Sequence, residues 1–123
     1  MNELADNVAE VEKRVARDKG SFNLFALFER EDVSNRYDLV FAAPWASDKG
    51  EVLRYFVVEL KQHVPPEQLV SLSRVVVLDP SDEAVRAINS AFHVEHGRME
   101  VTNSNVFGLP IKHGLIFTSQ RAA

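Results

Sequence analysis

The sequence predicts one α/β (or α+β) domain, in which a mixed sheet of about five strands carries helices on both faces. Three observations predict it. Apolar residues recur at helical spacing in three separate stretches. Short apolar runs of strand length lie between those stretches. One such run, Val75-Val76-Val77-Leu78, passes at once into a helix start, Asp79-Pro80-Ser81-Asp82-Glu83. The order along the chain is α-β-β-α-β-α-β-β, with residues 1–123 as a single domain.

Residues 3–19 place Leu4, Val8, Val11 and Val15 on one helical face, with Glu3, Glu10, Lys13, Arg14 and Arg17 on others. Gly20 is a natural stop. Ser21–Glu29 reads as a strand apolar on both faces, hence covered on both. The charged run Glu29-Arg30-Glu31-Asp32 and Ser34-Asn35-Arg36 lead to a second strand, Tyr37–Ala43, as an antiparallel hairpin. Asp48 and Glu51 form a capping box ahead of a helix whose stripe is Val52, Leu53, Phe56, Val57, Leu60 and Val64. Pro65-Pro66 stops it, and Pro66-Glu67-Gln68 begins another turn. The helix after Asp82 runs to about Phe92 with Val85, Ile88 and Phe92 inward. Two strands near Val94–Val101 and Val106–Thr118 close the chain, with Thr102-Asn103-Ser104-Asn105 as the turn between them. Gly108 and Pro110 mark a bulge or kink that protects an edge strand.

Composition narrows the chemistry. A chain of 123 residues buries a core without staples. It contains no cysteine, which excludes disulfides, thiolate metal sites and a cysteine nucleophile, and suits a bacterial-type cytoplasmic protein. The N-terminus lacks the basic and apolar blocks of a secretory signal. No apolar run approaches the roughly 20 residues of a membrane span. Net charge is −4, and neither half is basic, so a nucleic-acid partner is disfavoured.

Four places could carry function. The loops after the second and third strands hold Trp45, Ser47, Lys49, Asp79 and Asp82. If those strands are parallel, both loops meet beyond their carboxyl ends, where two helix N-termini favour an anion and Trp45 can stack on a ring. The same residues are ordinary helix caps, and no glycine-rich phosphate loop accompanies them. Second, Asp38 followed by Glu59-Leu60-Lys61 resembles the PD-(D/E)xK nuclease pattern, in which carboxylates hold Mg²⁺ and the lysine steadies the attacking water. Glu10 or Glu12 would add a helix carboxylate. Against this, the proline before Asp38 is missing and Val52–Lys61 has helical, not strand, periodicity. Third, His93-Val94-Glu95-His96 spaces two imidazoles three apart, while His63 and His113 lie elsewhere. The helix after Asp79 should return the chain to the opposite sheet edge, separating His93 and His96 from Asp79 and Asp82, and no metal site is expected. Fourth, the valine face of the first helix and Phe107-Gly108-Leu109-Pro110-Ile111 could serve association.

The expected function is a non-catalytic binding or regulatory module, with a protein partner or self-association as a homodimer, and no cofactor. The alternatives are a metal-dependent hydrolase or nuclease using Asp38, Glu59 and Lys61, and a small-molecule binder for a nucleotide or another anion.

Overall fold

A computed structural model describes residues 2–29, 36–106 and 109–121. The elements are α1 (Asn2–Lys19), β1 (Leu24–Glu29), β2 (Tyr37–Ala42), α2 (Lys49–His63), α3 (Pro66–Leu69), β3 (Leu72–Leu78), α4 (Glu83–Ala91), β4 (Met99–Val106) and β5 (Leu109–Ser119). The strands form one mixed sheet in the order β3-β2-β1-β5-β4. β2 and β3 are parallel, joined by the α2 crossover, and the other neighbours are antiparallel. The chain is thus an α+β fold of the predicted order, with α3 as a short addition.

Alternation along β1 divides the core. Phe25 and Leu27 face α1 and α2, and Leu24 and Ala26 face α4. The valine stripe of α1 is fully buried on its own sheet, which assigns that face to the core. Phe22, Phe25, Phe41, Phe56 and Phe117 fill the layer beneath it, with Phe41 and Phe56 stacked 4.3 Å apart. α2 and α4 start where the capping residues indicate: the side chains of Asp48 and Asp82 accept from Glu51 N and Ala84 N. Val57, expected in the α2 stripe, is 40% exposed, because Phe56 and Leu60 carry the buried face.

α1 ends at Gly20, whose φ of 121° suits glycine and whose N–H donates to Ala16 O. A Cβ there would meet the Trp45 ring at 3.0 Å.

Two sequence expectations fail here. Thr102, Asn103 and Asn105 belong to β4 and are exposed, because β4 is an edge strand with a solvated face. The link between β4 and β5 falls at residues 107–108, and Phe107 and Gly108, like residues 30–35 of the first hairpin, lie outside the described residues. Pro110 pairs with Asn105 near the start of β5, beyond the last β1–β5 pair at Phe28 and Gly114.

The second failure concerns α4. Leu78 pairs with Ala42, Ala42 with Leu24, Leu24 with Ser119, and Ser119 bridges Val94. The helix therefore leaves and rejoins the sheet in one lateral row. Its nine residues rise about 13.5 Å. That matches the roughly 14 Å of three strand spacings between β3 and β5. His93 and His96 consequently lie at the same edge as Asp79 and Asp82, displaced sideways, not at the opposite edge.

Gly114 sits opposite Phe28, and a Cβ there would meet Phe28 Cδ1 at 2.6 Å and Leu27 O at 3.0 Å. Gly114→Ala should destabilise the fold by about 1–3 kcal/mol, as overpacking does. Urea unfolding followed by circular dichroism checks this; an unchanged midpoint would remove the steric account.

Candidate functional site

α1 buries an acid. Glu12 falls beside Val11 and one turn after Val8, inside the face packed on the sheet, and is only 1% exposed. A buried carboxylate is costly unless hydrogen-bonded. Two groups answer it. His96 Nδ1 lies 2.9 Å from both Glu12 oxygens. The Thr118 hydroxyl hydrogen-bonds to the same carboxylate.

Both groups are aimed by local backbone devices. The β1–β5 register shifts so that Phe25 faces Thr118 while Ala26 faces Ile116, leaving Phe117 as the extra residue of a β-bulge. The bulge turns Thr118 toward α1, on the side that Phe25 faces. His96 has φ 47°, a left-handed conformation uncommon for a side chain of its size. Its N–H donates to Thr118 Oγ1 at 3.2 Å, and the Gly97 N–H donates to Phe117 O at 2.9 Å. The tight turn is thereby fastened to the bulge, and the imidazole is fastened to the acid.

Burial pushes the Glu12 carboxyl above its ordinary value, against the lowering effects of the His96 and Thr118 hydrogen bonds and the Lys13 charge. Nδ1 is taken up by Glu12, and Nε2 has no partner among the described residues. The His96 ring is 38% exposed and borders a cavity of about 440 Å³ lined also by Lys13, Ala16, Arg17 and Ser21. Arg17 makes no ion pair among the described residues, and Lys13 is only 3.8 Å from Glu10. Arg98 is already engaged, 2.8 Å from Asp6 and over the Phe117 ring.

The residues expected to bind a ligand lie in and around the loops after β2 and β3. β2 and β3 are parallel, so their following loops do share an edge, and the Lys49 charge acts on Asp79. Trp45, however, donates from Nε1 to Gly20 O at 2.9 Å and packs edge-on against Phe22. It anchors the α1 terminus and is half-buried. Asp48 and Asp82 are caps. Asp79 accepts from the Ser81 N–H and hydroxyl, which holds its carboxyl below the usual range. Ser47 is simply exposed.

The nuclease constellation is not assembled. Glu59 and Lys61 lie on helix α2, Glu59 pairs with His63 at 3.5 Å, and Asp38 accepts from Arg74 Nε and Nη2. His113 is committed at both ring nitrogens, 3.0 Å from Glu29 and 3.2 Å from Glu100. Among the described residues no group of three or more His, Asp or Glu could hold a metal ion. No described helix is long and apolar enough to cross a membrane. Sequence reasoning offered Glu12 only as an accessory carboxylate. The signal that could have found it is an acid inside the Val8–Val11–Val15 face.

The unfolded chain leaves Glu12 at its ordinary pKa, whereas the fold raises it, so the folded state favours the protonated acid. This contribution is present below about pH 4.5 and is lost as pH rises through the folded value. Glu12→Gln removes the titration. Its melting temperature relative to wild type should therefore rise between pH 4 and pH 7.5. A difference independent of pH, measured by differential scanning calorimetry, would contradict the raised pKa.

Comparison with protein-family models, curated proteins and solved structures finds no match to this chain. Its function must therefore follow from the chemistry of the site.

Proposed function

We propose that this protein binds a small molecule bearing an oxyanion, phosphate or carboxylate, against His96 between Lys13 and Arg17. The observation that carries this is the buried Glu12 carboxylate holding His96 by Nδ1 at the border of a cavity that two cations also line. Charge-assisted hydrogen bonds from such donors are the strong ones, and a concave wall limits competition from water. Ser21 offers a further hydroxyl. The positive lining arises in a chain of net charge −4 because the turn carrying His96 folds onto α1 beside Lys13 and Arg17.

A second reading, hydrolytic turnover with His96 as general base, is favoured by one feature: a carboxylate on Nδ1 and an Nε2 with no partner among the described residues is how a base is oriented. Release of product from phosphate or carboxylate esters, lost in His96→Asn, would select it over binding alone.

Titration calorimetry with inorganic phosphate and with succinate tests the proposal. Binding should be detectable at millimolar concentrations. Lys13→Ala and Arg17→Ala should each weaken it about tenfold, the loss of one charge-assisted contact. Absence of heat together with an unmoved His96 Hε1 resonance would refute it.

A further inference from the structure

The sheet has two edge strands, and their sequences differ in kind. β4 is guarded: Glu100, Thr102, Asn103 and Asn105 are exposed and polar, and Asn103 has φ 46°. β3 instead carries the apolar run Val75-Val76-Val77-Leu78, uninterrupted by any charge. Among the described residues no strand pairs with its outer side. Two bonds fix how the backbone is turned there. Tyr37 N–H donates to Ser71 O, and Asn23 N–H donates to Ala42 O. Tyr37, Leu39 and Phe41 therefore direct their backbone groups to β3, and the residues between them direct theirs to β1. Leu39 lies opposite Val75, and Phe41 opposite Val77. In a parallel ladder the residue facing an engaged one is itself turned away. The N–H and C=O groups of Val75 and Val77 thus point outward.

The helix above this edge extends the apolar surface. Tyr55 on α2 turns toward α1, with Lys19 Nζ 5.0 Å from its ring centroid. Val57 comes two residues later, about 200° further round the helix, on the flank away from α1. α1 packs on β5 and α2 on β3, so that flank is the one beside the β3 edge. Val57 is exposed there, and so is Val70, just before β3. Charges stand only at the ends of the run. Arg74 precedes it, exposed while holding Asp38, and Asp79 follows it, also exposed.

We propose that β3 is the interface with a second copy of this chain, joined antiparallel about a twofold axis at Val76 so that two sheets become one. Val75 exchanges N–H and C=O bonds with Val77 of the second copy, and Val77 with Val75 of the second copy. Val76 faces Val76 of the second copy in the non-hydrogen-bonded pair between them. The occupant is a second copy because the edge complements itself. Apolar run meets apolar run, and the twofold sets Arg74 of each copy beside Asp79 of the other. The Glu12–His96 cavity lies beside α1 and β5, so this interface leaves it open and does not depend on it.

Sedimentation equilibrium of the full chain at micromolar concentration should give twice the monomer mass. The chain has no cysteine, so Val76→Cys introduces its only thiol. A non-hydrogen-bonded antiparallel pair brings its Cα atoms to about 4.5 Å, within disulfide reach. Glutathione disulfide should therefore convert Val76→Cys to a covalent dimer. Val58→Cys, exposed elsewhere on α2, should stay monomeric under denaturing electrophoresis. Val76→Lys and Val76→Glu set like charges against each other on the axis, so each alone should sediment as a monomer. Their equimolar mixture should recover the dimer. Circular dichroism establishes that both are folded, and the cysteine variant, which keeps a small side chain, decides the matter if they are not. A monomeric wild type, equal crosslinking at positions 58 and 76, or folded lysine and glutamate variants that stay monomeric when mixed would each overturn the interface.

Discussion

A helix of nine residues has to carry the chain from β3, at one edge of the sheet, past β2 and β1 to β5. It is long enough to cross those strands sideways, but it does not run the length of a strand and return to the other edge. The chain accordingly re-enters the sheet in the row it left, at the Val94–Ser119 bridge. That one geometric limit decides what meets what. It brings the turn after α4 to the edge where α1 ends, which sets His96 over Glu12. It also lays α4 along the end of the sheet, so that Asn89 reaches both Asn23 and Ser119.

The polar groups gathered there are not what stability alone favours. Glu12 occupies a place on α1 that Val8, Val11 and Val15 show to be suitable for an apolar side chain. Replacing a buried, paired charge with a well-packed apolar residue is often neutral or stabilising. Keeping the acid requires a bulge in β5 and a left-handed histidine to satisfy it. Asn23 is a parallel case, with its backbone fully paired and one side-chain oxygen left without a partner among the described residues. Perturbed or unsatisfied buried groups beside cavities are the places where local rules give way to function.

The parts legible in sequence were those set by local chemistry. Asp48 and Asp82 announce their helices because a short acceptor side chain satisfies free N–H groups only a few residues away. The apolar runs of β1 and β3 declare strands by composition. What stayed hidden depends on partners remote in the chain. Glu12 and His96 are separated by 84 residues, and no periodicity links them. The register shift at Phe25 and Ala26 is a property of two strands together, so Thr118 gives no sign of where it points. Thr102–Asn105 looked like a turn for a simple reason: on an edge strand with a solvated face, polar side chains and backbone pairing coexist. The Trp45 indole N–H likewise meets acceptors at Gly20 and Ser21, which lie more than twenty residues earlier in the chain.

The end of β5 ties these features together. Thr118 and Ser119 are adjacent and both fully buried, yet they serve opposite faces. Thr118 accepts from the His96 N–H and hydrogen-bonds to Glu12 beneath α1. Ser119 donates to Phe92 O and accepts from Asn89 beneath α4. Alternation along a strand makes such a division possible, and the bulge just before it sets the phase. A strand end that must satisfy two separate polar clusters has little freedom to shift. Moving it by one residue would withdraw the hydroxyl from Glu12 and from the C-terminus of α4 at once. The same two hydroxyls thus complete the fold at this edge on both faces of the sheet.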